Sequence, residues 1–174
     1  MMYELVMAIA CNGMGRAVSG FQEQRTGDYA AAAQHFKAAA GAMQMLSEEQ
    51  LPKWASKSGD SFGQDLPSEA KIESAEAFKT LFLAVGQQMA VATSLNKPGT
   101  PNFSLLAKLC LGISEQMDLF VGTMSSKASL RMAKIDPYLF ALVRFQIKIQ
   151  KAVSTYFLAR SSWDNNAPGL AIAF

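Results

Sequence analysis

The chain has 174 residues, of which 50% are hydrophobic and 17% are charged, and its formal net charge is +2. This length and composition fit one compact domain and exclude a disordered chain, and the small net charge predicts no nucleic-acid partner. Charged and amide side chains interrupt each apolar run before it reaches the roughly 20 residues of a membrane span, and no basic region precedes the apolar start as in a signal peptide.

The first part of the chain predicts an antiparallel pair of helices. From Tyr3 to about Gln24 apolar residues recur at intervals of three and four, which is typical of a helix. A second helix is predicted from Asp28 to about Leu46, because Gly27 relieves the turn, Asp28 caps the first amides and an Ala-rich run follows. Its small side chains let a neighbouring helix approach closely, so the two predict a helical hairpin.

A less regular segment follows this hairpin. Residues 47–50 resemble a capping box, but Pro52 comes so soon afterwards that only a short helical turn is expected there. Residues 53–67 are rich in Ser, Gly, Asp and Lys and predict an ordered or partly ordered loop, held to the body by isolated apolar side chains. A long third helix is predicted from about Ser68 to Leu95.

Two start signals mark the remaining long helices. Asn102, after a break rich in Pro and Gly, is predicted to cap a fourth helix that ends near Ser126. Asp136 followed by Pro137 predicts an acidic N-cap with proline at the first helical position, in a helix that runs to about Ala159. Residues 129–135 either prolong the fourth helix or form a separate turn.

The end of the chain predicts a turn at residues 161–167 and then a helix that opens at Pro168 and has barely one turn. Because so short a helix cannot hold itself, we expect the natural polypeptide to continue. About five long helices without strand alternation predict an all-α fold of antiparallel hairpins. A bundle and a short tetratricopeptide-like solenoid both fit this pattern.

Signals for catalysis and metal binding are weak. His35 is the only histidine, so a His-based metal site or a Ser/His/Asp relay would have to be built around one ring. Cys11 and Cys110 lie within apolar helical patterns without metal-ligand spacing, and we expect both to be buried, reduced thiols, with a disulfide as the alternative. The sequence therefore predicts a protein that is not an enzyme, with no catalytic residues, no cofactor and no metal.

One candidate binding surface lies on the third helix. Leu81, Val85 and Met89 recur at four-residue spacing, with Phe78 and Phe82 beside them, so this helix is apolar on more than one face. One face is needed for the core, and the other predicts a groove for the amphipathic helix of a partner. The alternative is that neighbouring helices bury all of these side chains.

A second candidate surface is basic. Residues 127–160 contain seven basic side chains and one acidic one. Arg144, Lys148 and Lys151 recur at spacings of four and three, which places them on one side of the fifth helix. Each could contribute about 1 kcal/mol near an anionic membrane, or attract an acidic partner. An ordinary solvated face is the alternative.

Four sequence patterns occur in a fixed order along the chain. They are Tyr3-Glu4 with Asn12; Gly27-Asp28-Tyr29 with Phe36 and Ala39-Ala40-Gly41; Leu81 and Leu83-Ala84 with Gln87-Gln88; and the helix from Asp136-Pro137-Tyr138 to Tyr156-Phe157, followed by Asn165-Asn166 and Gly169. Together they resemble the ALIX-type Bro domain, and the resemblance covers most of the chain. It implies the core of a longer Bro-like domain, without that domain's N-terminal strand-containing part.

The resemblance also implies a function. Bro-type domains are scaffolds that bind the C-terminal helix of an ESCRT-III subunit on a concave apolar surface, so the expected protein is a cytoplasmic adaptor that acts at endosomes or other membranes. A tetratricopeptide hairpin is the alternative fold, although its repeat of about 34 residues is not sustained. The alternative function is a structural subunit of a large multiprotein assembly, built on a reduced Bro-like or tetratricopeptide-like fold.

Overall fold

A computed structural model describes residues 2–58, 66–126 and 135–173, apart from the side chain of Glu69. Helices joined by short turns and loops make up these residues, and none of them forms a strand, which confirms the predicted all-α class. The α-helices are α1 (Met2–Thr26), α2 (Tyr29–Met45), α3 (Leu51–Ser58), α4 (Ile72–Asn96), α5 (Phe103–Ser126), α6 (Pro137–Asp164) and α7 (Pro168–Ala173). A π-helical turn at Leu46–Gln50 joins α2 to α3, and a 3₁₀ turn at Ser68–Ala70 precedes α4.

The long helices pack as a bundle in which α1 contacts α2, α2 contacts α4, α4 contacts α5 and α5 contacts α6. The short helix α7 packs against α6. Since α4 lies between α2 and α5, it is covered on two sides, whereas α6 has a long neighbour mainly on the side of α5. This order decides which apolar faces are buried.

The helix caps predicted at Asp28, Asn102 and Asp136 are confirmed. The side chain of Asp28 accepts a hydrogen bond from the amide of Ala31 at 2.9 Å, and Asn102 accepts one from the amide of Leu105 at 3.0 Å. Asp136 accepts one from the amide of Tyr138 at 2.9 Å. Each cap satisfies an amide that the first helical turn leaves without a backbone partner.

The loop predicted for residues 53–67 is wrong at its start, because α3 continues to Ser58. Pro52 does not end the helix, and it stands as the second residue of α3, directly after the π-helical turn. The π-helical turn carries the chain directly from α2 into α3. The capping box that residues 47–50 resemble does not form, because Ser47 lies within the π-helical turn and its hydroxyl group donates to the carbonyl oxygen of Gln44 at 3.3 Å. Leu66 is buried, as the predicted anchoring requires, while residues 59–65 lie outside the described residues.

Helix α6 is longer than predicted. It passes Ala159 and ends at Asp164, so the turn expected at residues 161–167 is confined to the three residues before α7. The ion pair between Arg160 and Asp164, with N and O atoms 3.3 Å apart, spans the last helical turn and supports this extension. Within the connection, Asn166 adopts a positive φ of 58°, a conformation that Asn tolerates. The alternatives for residues 129–135 fall almost wholly outside the described residues.

Candidate partner-binding surface

The apolar residues predicted to bind a partner lie on α4, in the middle of the bundle. Four of them are no more than 6% exposed and belong to the core. They are Phe78, Leu81, Phe82 and Met89. Val85 is half-buried and packs against the same core. A partner would reach the four buried side chains only if α4 separated from α2 or α5; binding at these residues stays an untested prediction.

Aromatic contacts explain why this face of α4 is closed. The ring of Phe78 stacks on that of Phe82 with centroids 5.9 Å apart, and it contacts the ring of Phe120 on α5 at 5.8 Å. Phe120 in turn stacks on Phe140 of α6 at 5.9 Å. These contacts join three helices in one aromatic column, so the column is part of what holds the bundle together.

A shallow cleft of about 220 Å³ lies between α2 and α4. Its lining is mixed in character and consists of Ala33, Gln34, Lys37, Phe82, Leu83, Gly86 and Gln87. Leu83 is the exposed apolar residue of this group. Without a cluster of charged groups or a deep enclosed volume, the cleft offers little to a small-molecule ligand.

The predicted basic residues Arg144, Lys148 and Lys151 are all exposed on α6. The ammonium group of Lys151 lies 2.9 Å from the carboxylate of Asp118 on α5, so its charge is already compensated. In contrast, Arg144 and Lys148 form no ion pair with any described residue. Three of the seven basic residues of this region lie outside the described residues.

The structure also shows an exposed apolar stripe on α6 that the sequence analysis did not single out. Its members recur at spacings of four and three, and we call it the outer stripe: Tyr138, Leu142, Phe145, Ile149, Ala152, Tyr156, Ala159 and Trp163. Five of its six large members, Tyr138, Leu142, Phe145, Tyr156 and Trp163, are between 56% and 82% exposed, and the sixth, Ile149, is half-buried.

A second apolar stripe of α6 faces the core. It contains the apolar residues Phe140, Val143, Ile147 and Phe157 and the polar Ser154, all buried. The two stripes lie on opposite sides of the helix at a period of 3.6 residues per turn. The repeat of the outer stripe was visible in the sequence, but it is interleaved with the inner one, so the pattern alone does not show which of them the bundle covers.

His35, around which a catalytic relay would have to be built, has no hydrogen-bonded partner among the described residues. Its Nδ1 atom is buried, and no carboxylate of those residues is paired with it. Cys110 is buried as expected, and burial raises the pKa of its thiol, whereas Cys11 is exposed and corrects the expectation of two buried thiols. Both thiols are free.

One charged cluster joins two helices. The ammonium group of Lys79 on α4 donates to Oε1 of Glu48 at 2.8 Å, and Nε2 of Gln44 donates to Oε2 at 2.9 Å. These hydrogen bonds, with Lys79 contributing most, lower the pKa of Glu48 below its usual value. At neutral pH the cluster therefore links the π-helical turn to α4. Its role is structural.

Metal binding and membrane crossing both find no support in the described residues. Within residues 2–58, 66–126 and 135–173, no group of three or more His, Cys, Asp or Glu side chains is placed to hold a metal ion. Among the helices of those same ranges, none has the length and apolar character that a membrane crossing requires.

Comparison with known proteins decides the family. The model of the BRO1-like domain matches residues 7–174, which is nearly the whole chain. The chain belongs to the BRO1-like domain family. This confirms the resemblance drawn from the four sequence patterns, and it agrees with the helical architecture. A search of the curated proteins found no match, and a search of the solved structures found none either.

Membership of the BRO1-like family defines the protein in general terms. Domains of this family are helical scaffolds of ESCRT-related trafficking, and they act through contacts with other proteins. The chain is accordingly a helical scaffold of this general kind.

Proposed function

We propose that this chain is a non-enzymatic adaptor that binds an amphipathic helix of an ESCRT-III-like subunit, in the cytoplasm and at endosomal or other membranes. The observation that carries the proposal is the BRO1-like match over residues 7–174. The basic side chains Arg144 and Lys148, which have no ion pair among the described residues, would attract an acidic partner or an anionic membrane surface.

The test of this proposal is a binding titration. Fluorescein-labelled peptides that correspond to the C-terminal helices of ESCRT-III subunits are titrated with the purified chain, and fluorescence anisotropy is measured. We expect saturable binding of at least one peptide, with a Kd of roughly micromolar order. Such a Kd corresponds to a binding free energy of about −8 kcal/mol. A cooperatively folded chain that binds none of these peptides would contradict the proposal.

The alternative is a structural subunit of a large multiprotein assembly, and the exposed apolar side chains at the end of the chain favour it. Leu170 and Ile172 on α7 are 55% and 82% exposed. An obligate subunit would aggregate when it is expressed alone, whereas an adaptor would remain a monodisperse monomer. Light scattering of the same purified sample separates the two.

A further inference from the structure

We infer that the outer stripe of α6 binds an amphipathic α-helix whose apolar residues are flanked by acidic side chains. This inference rests on the proposed function, because it names the surface and the partner chemistry that such an adaptor would use. It places the partner at α6, away from the five predicted α4 residues, four of which the bundle already buries.

The shape of the outer stripe suits a helical partner. The stripe runs from Tyr138 to Trp163, a length of about 37 Å at the helical rise. Spacings of four and three are those at which one helix presents side chains to another helix with the same repeat. Single exposed apolar residues are ordinary, but an aligned series of four exposed aromatic side chains and one exposed leucine indicates an interaction surface.

The opposite face of α6 keeps the helix anchored while the outer stripe is occupied. Phe140, Val143 and Ile147 are buried in the core. The hydroxyl group of Ser154 donates a hydrogen bond to the carbonyl oxygen of Ala107 on α5 at 2.8 Å and is itself buried. Because these contacts already fix the rotation of α6, the outer stripe cannot turn inward to be covered by the rest of the described chain.

The charges beside the stripe select an acidic partner. Between residues 137 and 163, α6 carries four basic side chains and no acidic one. Two of the four are paired, Lys151 with Asp118 and Arg160 with Asp164. Lys148 borders the stripe directly, and Arg144 lies further around the same side. Because neither side chain forms an ion pair with a described residue, both are available to pair with glutamate or aspartate side chains of a partner.

The same charges argue against a second copy of this chain as the occupant. In an antiparallel two-fold contact, like flanks of the two stripes face each other, and the unpaired Lys148 lies on one flank near the middle of the stripe. The contact would therefore bring lysines of both copies together without any acidic residue of the stripe between them. Like-charge contacts of this kind oppose association.

The experiment uses a designed probe of known chemistry. It is a fluorescein-labelled peptide of four heptads with Leu at both apolar positions and Glu at the flanking positions, and anisotropy reports its binding to the purified chain. A second peptide carries Lys in place of Glu. We expect the Glu peptide to bind at least tenfold more tightly than the Lys peptide, because Arg144 and Lys148 attract only the former.

Substitutions locate the binding surface. The double variant Leu142→Asp with Phe145→Asp should weaken binding of the Glu peptide at least tenfold, and Lys148→Glu should weaken it severalfold. The matched controls lie on α1, where Val18 is 57% exposed and Arg16 is exposed. Val18→Asp and Arg16→Glu should leave binding unchanged. Because all of these side chains are exposed, far-ultraviolet circular dichroism and thermal unfolding should show every variant folded.

Several results would overturn the inference. One is equal binding by the outer-stripe variants and the α1 controls. A second is a dimer in light scattering that the Leu142→Asp, Phe145→Asp variant dissociates, since a second copy would then be the occupant. A third is tight binding to phosphatidylserine vesicles that the same variant abolishes. A fourth is loss of Glu-peptide binding in a chain that carries any natural residues following Phe174.

The inference and the proposed function fail in different ways. If an ESCRT-III helix binds the wild-type chain and the outer-stripe variant with equal affinity, the adaptor function stands and the outer stripe is not its surface. If the Glu peptide binds through the outer stripe but no ESCRT-III helix binds, the surface stands and the proposed partner is wrong.

Discussion

Gly20 sets the distance between the first two helices. A Cβ atom added at this position would lie 2.9 Å from Cζ of Phe36, and Phe36 is fully buried. The ring of Phe36 also contacts that of Phe21 edge-on, with centroids 5.0 Å apart, so it has little freedom to move away. The absence of a side chain at Gly20 is therefore a packing requirement, although glycine is a poor helix former.

Two glycines of α1 make a matched test of this requirement. Gly20→Ala should destabilise the chain by about 1 kcal/mol net, since overpacking costs about 1–3 kcal/mol and the better helix propensity of Ala returns up to about 1 kcal/mol. A Cβ atom added at Gly15 would meet no atom within 4 Å, so Gly15→Ala should stabilise the chain by up to about 1 kcal/mol. Urea denaturation measures both values. Equal shifts in the two variants would show that Phe36 yields to the added methyl group.

At the scale of single elements, α2 depends on the turn that precedes it. Gly27 adopts a positive φ of 88°, which only glycine reaches without strain, and Asp28 then caps the helix. The Ala-rich sequence gives α2 a high intrinsic propensity but few large side chains to fix its start. The cap therefore defines where the helix begins against α1.

Asp28→Ala should lower the free energy of unfolding by about 1 kcal/mol, within the range for a lost N-cap. Asp28→Asn should recover most of this loss, because the amide oxygen of Asn accepts the same hydrogen bond from Ala31. The measurement is again urea denaturation at neutral pH. A loss as large for Asn as for Ala would attribute the effect to the charge of Asp28 and contradict the cap.

For the molecule as a whole, α4 is the central element. It packs against α2 on one side and α5 on the other, and its aromatic residues reach α6 through Phe120. A buried charge on α4 would therefore disturb several interfaces at once. Removal of side chains from α6's outer stripe would disturb none of them, since that stripe faces away from the core.

Leu81 and Leu83 lie on the same helix and allow this to be tested. Leu81 is 6% exposed, and Leu81→Asp should destabilise the chain by more than about 4 kcal/mol, because an unpaired carboxylate would enter the core. Leu83 is 44% exposed, and Leu83→Asp should change stability by less than about 1 kcal/mol. Thermal unfolding followed by circular dichroism compares them. If the Leu81→Asp variant were stable and unfolded cooperatively, Leu81 would not be a core residue, and the predicted binding surface on α4 would be supported.

The sequence by itself determined the local structure. The cap residues Asp28, Asn102 and Asp136 predicted three helix starts, since capping depends on neighbouring residues only. The order of four patterns indicated the family that the BRO1-like match confirms. Local rules failed at Pro52 and at residues 161–164, where proline is the second residue of α3 and α6 simply continues.

Only the tertiary structure decided which apolar faces are covered. Both α4 and α6 have apolar residues on more than one side, and their sequence periodicities do not differ in kind. The bundle places α4 between two long helices, so Leu81 and Phe82 are buried, and it covers α6 on its inner side, so Leu142 and Phe145 are exposed. Periodicity records which side chains share a face of a helix, whereas burial depends on neighbours that are distant in sequence, and for that reason the apolar face that stays exposed could not be predicted before the fold was known.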